Sequence, residues 1–150
     1  MGTAITTVEV LVSDLEHGGG KKAVPLVSFV KWCAWIANGH TNGSFEAMFT
    51  HFALRLTDGN GEQWVAERCE AGVRYAPTEA TDAGVSALRW TTDLDRDVVD
   101  AFVQEQRGLD YDLFSKNCKH FAYDLLTRAG LVESKFECFC QRAELAYRSY

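Results

Sequence analysis

The chain has 150 residues, of which 47% are hydrophobic, and its formal net charge is -6. This length is typical of one compact domain, and the apolar content is sufficient for a buried core, which excludes a disordered chain. The acidic balance excludes a basic nucleic-acid-binding face of the usual kind. We therefore expect a single folded domain over residues 1–150 and no nucleic-acid partner.

The amino-terminal segment lacks the pattern of a secretory signal, because no basic region precedes its apolar residues, and Glu9 and Asp14 interrupt them. No stretch approaches the ~18 continuous apolar residues of a membrane span. The five cysteines lack the spacing of a disulfide framework, which favours a reducing compartment. The sequence predicts a cytoplasmic protein without stable membrane insertion, although signal-independent export leaves no trace in a sequence. Its oligomeric state stays open.

The first predicted element is a strand over Thr6–Val12, which is rich in β-branched residues. The tract Gly18-Gly19-Gly20 predicts a loop after it. Apolar residues then recur at helical spacing, and Pro25 suits the first turn of a helix. We expect this helix over Pro25–Ala37, where the following Asn38-Gly39 ends it.

A hairpin follows, formed by the apolar-rich segments Phe49–Thr57 and Gln63–Cys69. The connecting residues Asp58-Gly59-Asn60-Gly61 tolerate the positive φ angles that tight turns require. A further strand is expected over Val85–Thr91. These patterns predict an antiparallel sheet.

Two helices are expected in the carboxyl-terminal half. Asp93 is the predicted cap of the first, whose apolar face includes Phe102 and which ends at Gly108. The second spans Cys118–Arg128, with Asn117 as its cap and Gly130 at its exit. Strands and helices thus interleave without a βαβ phosphate loop, which predicts an α+β fold around an antiparallel sheet.

The start of the second helix is chemically notable because it carries a cysteine. A free thiol has a pKa of about 8.5, and a helix amino terminus together with an imidazolium lowers that pKa. The unpaired N–H groups of the first turn, including that of Cys118 itself, can also stabilise an oxyanion. The alternative is a cysteine that is simply buried at a helix start.

His51 supports the catalytic interpretation, since it opens a predicted strand that can hold it rigidly against the helix start. It would accept the thiol proton while a polar residue on the neighbouring strand orients its ring. Glu67 is the leading candidate for that residue, with Glu70 and Gln63 as rivals. Alternatively, Glu67 is an exposed strand carboxylate that pairs with Arg68 or Arg55.

The segment 111–121, which reads YDLFSKNCKHF, resembles the nucleophile segment of circularly permuted NlpC-like papain-fold enzymes. Relatives of that kind include YiiX-like hydrolases, PPPDE-type isopeptidases and lecithin retinol acyltransferase-like proteins. The order of parts also matches the permuted branch, because His51 and the Glu67 strand precede Cys118. The resemblance implies a permuted papain-like domain with a catalytic core over residues 50–130, an elaboration over 1–49 and an extension over 131–150.

The resemblance further implies a role for each residue: Cys118 is the nucleophile, His51 the general base and Glu67 the residue that orients the histidine. A thiol hydrolase acting on a peptide, isopeptide or peptidoglycan-type amide through an acyl-enzyme is the expected function. Two alternatives stay open. One is an acyltransferase or lipid hydrolase, for which Pro25–Ala37 could be a membrane-contacting segment, although core packing explains that helix equally well. The other is an inactive binding or inhibitory module.

Four further residues have weaker interpretations. Tyr111 precedes the helix and is a candidate oxyanion donor. His120 lies two residues after the cysteine and therefore faces a different direction. Cys138 and Cys140 could ligate zinc with His120 or Cys69, but the C-x-C pattern lacks the paired spacing of a structural site. We expect no metal and no cofactor.

Overall fold

The computed structural model describes residues 3–14, 50–69, 71–79, 82, 84–110 and 116–149. Within these ranges, five strands form one sheet in which all neighbours are antiparallel. The strands are β1 (Ile5–Asp14), β2 (Thr50–Asp58), β3 (Gln63–Cys69), β4 (Gly72–Pro77) and β5 (Val85–Leu94). Their spatial order is β4-β3-β2-β1-β5, so β2 lies at the centre of the sheet.

Three described helices accompany the sheet: α1 (Arg96–Arg107), α2 (Cys118–Arg128) and α3 (Phe136–Arg148). One side-chain face of β2, formed by Phe52, Leu54 and Leu56, is fully buried in a core that the helices complete. The alternation of buried positions along β2 follows from the two-residue period of a strand. The predicted antiparallel α+β arrangement is therefore confirmed. None of the described helices combines the length and apolar character needed to cross a membrane.

The turn between β2 and β3 is fixed by its own side chains. The Asp58 carboxylate accepts hydrogen bonds from the backbone N–H groups of Asn60 at 2.8 Å and Glu62 at 3.0 Å. Gly61 has a φ of 81°, a value that residues with a Cβ rarely adopt. The predicted hairpin is confirmed, with β2 running from Thr50 to Asp58.

The predicted cap of α1 was wrong by two residues. Asp93 belongs to β5, which continues to Leu94 because Leu94 pairs with Ile5 and is buried. Asp95 is the cap instead, and its side chain accepts a hydrogen bond from the Asp97 N–H at 2.9 Å. Gly108 ends the helix as expected.

Two described elements were not predicted. The predicted strand Gln63–Cys69 ends where expected, but the chain then reverses and returns as β4, for which no strand was predicted. Gly72 has a φ of 128°, which suits this reversal. Helix α3 falls in the expected extension and buries Phe139 in the common core. The predicted helix Pro25–Ala37 and the glycine loop lie outside the described residues.

Candidate active site

Helix α2 begins as predicted, at Cys118, with Asn117 as its cap. Asn117 has an extended backbone, and its Oδ1 accepts hydrogen bonds from the N–H groups of Lys119 at 2.9 Å and His120 at 3.1 Å. Those two amides are donors that a helix cannot satisfy internally. The cap therefore fixes Cys118 as the first residue of the helix, where the helix dipole favours negative charge.

The thiol lies against a part of β2 that β3 does not cover. Within the described residues, pairing between the two strands runs from Thr57 and Gln63 to Leu54 and Ala66 and stops there. The edge of β2 beyond that point keeps backbone groups available. Cys118 Sγ lies 4.0 Å from the Thr50 carbonyl oxygen.

The same edge supplies a donor to the sulfur. A hydrogen bond from the Phe52 backbone N–H reaches the Cys118 thiol and favours its ionised form. Because Phe52 and Thr50 are alternate residues of β2, their N–H and C=O groups can address the same edge of the strand. The backbone of β2 therefore contacts the sulfur directly.

His51 connects the thiol to Glu67. Its Nε2 lies 3.0 Å from Glu67 Oε2, and both side chains are only 15% exposed. The imidazole also lies close enough to Cys118 for each group to shift the pKa of the other. Because Nε2 donates to the carboxylate, Nδ1 is the nitrogen that can exchange a proton with the sulfur. The structure thus brings together the three residues that the sequence predicted as a triad.

Glu67 is held from several sides. Cys69 Sγ donates to Glu67 Oε1 at 3.6 Å, and Arg74 Nη1 lies 3.6 Å from the same oxygen. Arg74 in turn forms two hydrogen bonds to Asp82, at 2.6 and 3.0 Å. A carboxylate with this many partners is fixed in position and well suited to orient the imidazole.

The alternative role of Glu67, as an exposed carboxylate paired with Arg55 or Arg68, is not observed. Arg55 binds Glu9 through two hydrogen bonds of 3.0 and 2.8 Å, and Arg68 donates to the Gln106 carbonyl at 2.7 Å. Each arginine therefore has another partner.

The charges within the site favour an ion pair. Burial lowers the pKa of His51, but hydrogen bonds and negative charge from Cys118 and Glu67 outweigh burial and raise it to about 9. Burial raises the pKa of Cys118, but the Lys119 charge and the His51 hydrogen bond outweigh burial and lower it to about 7. Between these values the thiolate and the imidazolium are the favoured forms.

Of the two rival candidates for the role of Glu67, Gln63 does not join this cluster. Gln63 pairs with Thr57 at the opposite end of the hairpin and is exposed. Glu70 and Tyr111 lie outside the described residues, so the predicted oxyanion role of Tyr111 stays a prediction.

Sequence reasoning missed two neighbours of the thiol and the carboxylate. Cys69 lies two residues after Glu67 on the same strand, so strand alternation already indicated a shared face. Lys119 directly follows Cys118, and its side chain is buried with 4% exposure. Such burial is rare for lysine and could not be predicted from position alone.

His120 packs as expected of a non-catalytic histidine, because its ring stacks on Phe136 with a centroid distance of 4.1 Å. Cys138 is exposed, and burial raises the pKa of Cys140 to about 12. Within the described part of the chain, neither cysteine belongs to a group of three potential metal ligands.

One set of side chains has the spacing that a metal ion could bridge. The donor atoms of His51, Glu67 and Cys69 all lie within 4.8 Å of one another. These atoms also contact one another, since Cys69 donates to Glu67 and Glu67 accepts from His51. This chain of hydrogen bonds is the arrangement by which a carboxylate orients a histidine.

Comparisons with known proteins identify no relative of this chain. No family model matches it, and no curated protein or solved structure is significantly similar. The assignment of a function therefore depends on the geometry and on the motif around Cys118.

Proposed function

We propose that this protein is a cysteine hydrolase that cleaves a peptide, isopeptide or peptidoglycan-type amide bond. One observation carries the proposal: Cys118 starts a capped helix and contacts His51, which Glu67 holds at 3.0 Å. Nucleophile, base and orienting residue in this order are the parts that acyl transfer requires. The resemblance of segment 111–121 to permuted NlpC-like papain-fold enzymes supports the same chemistry.

In the first step, the Cys118 thiolate attacks the carbonyl carbon of the substrate and a C–S bond forms. The carbonyl π electrons move to oxygen, which becomes an oxyanion. When the intermediate collapses, the C–N bond breaks and the His51 imidazolium gives its proton to the leaving amine. The product is a thioester on Cys118 and a neutral imidazole.

The start of α2 offers one backbone donor for the oxyanion. The N–H groups of Lys119 and His120 donate to the Asn117 side chain, and that of Phe121 donates to the Asn117 carbonyl oxygen. The Cys118 N–H does not donate to Asn117. It lies at the amino-terminal end of the helix, where the helix dipole is positive, and can donate to the oxyanion. Asn117 thus caps the helix without using this donor.

In the second step, neutral His51 takes a proton from water, and the resulting hydroxide attacks the thioester carbon. The C–S bond breaks, the carboxylic acid product leaves, and the thiolate and imidazolium form again. Glu67 stays ionised throughout: burial raises its pKa, but the hydrogen bond and charge of His51 together with the charge of Arg74 outweigh burial and hold the pKa below its usual range. A fixed carboxylate stabilises each imidazolium that forms.

The ion pair is testable through the alkylation of Cys118 by iodoacetamide as a function of pH, with mass spectrometry to assign each cysteine. Cys118 should react with an apparent pKa near 7 in the native protein. His51→Ala should move that pKa upward and slow the reaction at pH 6.5 by about tenfold, because one pH unit changes the thiolate fraction tenfold.

Three references make the result interpretable. His120→Gln removes a neighbouring imidazole that stacks on Phe136 and should leave the Cys118 profile unchanged. Cys69 and Cys140, whose pKa values burial raises to about 12, should stay unreactive below pH 9. A Cys118 thiol that titrates like a free cysteine in the native protein would overturn the proposed function.

The class of bond can be determined with a panel of substrates. Peptides, lysine-linked isopeptides, peptidoglycan fragments and phospholipid vesicles are incubated with the native protein and with Cys118→Ser. Release of an amine that depends on Cys118 supports amide hydrolysis. Transfer of an acyl chain from phospholipid to an amine or to Cys118 would instead indicate an acyltransferase.

A further inference from the structure

Lys119 lies beside the nucleophile and has no role in the triad. Its Nζ donates to the Thr50 carbonyl oxygen at 2.9 Å and lies 5.3 Å from the centre of the Phe52 ring. The side chain is buried, with 4% exposure. A buried ammonium is costly unless something compensates for lost hydration, so its retention beside a thiol requires an explanation.

The carbonyl oxygen that binds Lys119 is the same oxygen that Cys118 contacts at 4.0 Å. A neutral thiol can donate its hydrogen to this oxygen. A thiolate cannot, and it faces the partial negative charge of the oxygen instead. An ammonium on that oxygen offsets the repulsion and adds a direct attraction to the sulfur. The contact geometry thus favours the ionised nucleophile.

A second buried contact fixes this carbonyl. The Thr50 hydroxyl donates to the Glu144 carboxylate of α3, which is also buried. Thr50 precedes His51 in β2, so the strand residue next to the base contacts both α2 and α3. Among the described residues, the titratable groups that interact with the Cys118 thiol are His51 on β2, Cys69 on β3, Lys119 on α2 and Cys140 on α3. Glu67 interacts with His51, and Glu144 interacts with Cys140.

The geometry points to Lys119 as a positioning residue of the proposed hydrolase: its ammonium, anchored on the Thr50 carbonyl oxygen, stabilises the Cys118 thiolate independently of His51. This inference rests on the proposed function and deepens it. Burial raises the pKa of Cys118, and among the influences that lower it the Lys119 charge is the strongest. The nucleophile therefore has two cationic partners, of which only the imidazole delivers a proton to the leaving group.

The test compares the pH dependence of Cys118 ionisation in the native protein, Lys119→Met, Lys119→Arg and Arg128→Met. Thiolate absorbance at 240 nm and alkylation by iodoacetamide give two independent readouts. Lys119→Met should move the apparent pKa of Cys118 about one pH unit upward and lower alkylation at pH 6.5 about tenfold. Lys119→Arg keeps the charge and should restore most of the native profile.

Arg128→Met is the matched control, because it removes a cation from the exposed end of the same helix. It should leave the profile unchanged. If Lys119→Met does not fold, Lys119→Gln repeats the comparison, since an amide can still donate to the Thr50 oxygen without a charge.

The outcomes separate the two proposals. A native Cys118 that titrates like a free thiol overturns the proposed function itself. A native Cys118 with an acidic profile that stays the same in a folded Lys119→Met or Lys119→Gln protein overturns only the role of Lys119. An equal shift in Lys119→Met and Arg128→Met would also overturn it, because the effect would then be general electrostatics.

Discussion

At the scale of a single residue, the partners of Glu67 hold its carboxylate in the position from which it contacts His51. It accepts from His51, contacts Arg74 and receives a hydrogen bond from Cys69. The sequence identified Glu67 as a polar residue on the hairpin strand next to that of His51, and the family resemblance implied the same role. Arg74 could not be identified with it, because the strand that carries Arg74 was not predicted, although its register places it directly opposite Glu67.

Glu67→Gln should reduce the reactivity of Cys118 without unfolding the protein. Glutamine keeps a hydrogen-bond acceptor for His51 Nε2 but removes the charge that favours the imidazolium. We expect the pKa of His51 to fall from about 9 toward its ordinary value and alkylation at pH 7 to slow about tenfold. NMR titration of the imidazole measures the first effect and the alkylation rate the second.

Glu105→Gln provides the control, because Glu105 is an exposed carboxylate that pairs with Arg128. An unchanged His51 titration in Glu67→Gln would show that the carboxylate does not tune the base. The same change in both variants would assign the effect to net charge instead.

At the scale of elements, local signals predicted the hairpin and helix α2, because each carries its own turn or cap residues. Helix α3 lacks them: its cap position is Lys135, which forms no side-chain cap hydrogen bond. Its stability comes from tertiary packing, with Phe139 in edge contact with Phe52 at 6.0 Å. That interaction joins residues far apart in sequence, which a local pattern does not reveal.

Phe139→Ala should therefore destabilise the whole protein and disturb the site. Truncation of a buried phenylalanine costs about 3–5 kcal/mol, and here the cavity would form beside the strand that carries His51. Urea unfolding at pH 7 measures the loss of free energy. Leu145→Ala, on the same helix at 65% exposure, should change it by less than about 0.5 kcal/mol. Equal effects of the two variants would contradict a packing role for α3.

At the scale of the whole molecule, stability should depend on pH mainly below neutrality. A hydrogen bond from Arg55 holds the pKa of Glu9 below its usual range, and one from Arg74 does the same for Asp82. Because the folded pKa is the lower one, the unfolded chain takes up protons first as the pH falls. The stability contributed by these groups is full above about pH 5 and is lost as the pH falls through the folded values.

The ion pair of the site behaves differently. Taken alone, the raised pKa of His51 makes the free energy of unfolding fall as the pH rises toward 9. Taken alone, the lowered pKa of Cys118 makes the free energy of unfolding increase as the pH rises above 7. In this interval the folded pair and the unfolded pair each hold one proton, so the opposing slopes cancel.

Urea unfolding should therefore give a flat free energy between pH 7 and 8.5 and a decline below about pH 5. Glu9→Gln should reduce the acid decline because it removes one of the carboxylates responsible. A steep slope between pH 7 and 8.5 would contradict the paired titration of Cys118 and His51.

The sequence therefore predicted the antiparallel sheet and both ends of α2, which depend on strand alternation and helix capping. It also named Cys118, His51 and Glu67, which the structure brings together, while their catalytic roles stay a prediction. It did not predict how β2 and β3 separate beyond Leu54 and Ala66, where Cys118 approaches the backbone of β2. That separation depends on the helix that approaches the gap. No local pattern in either strand encodes it.

The turn at Asp58 has a consequence for the distant end of the hairpin. Its geometry decides which residue of β3 stands opposite each residue of β2, and a slip of one residue turns every side chain of a strand to the other face. Adding or deleting one residue between Asp58 and Gln63 would turn Glu67 away from His51, roughly 20 Å along the strands. The length of this turn is thus constrained by the contact between Glu67 and His51 at the other end of the hairpin, in addition to the roles of Asp58 and Gly61 within the turn.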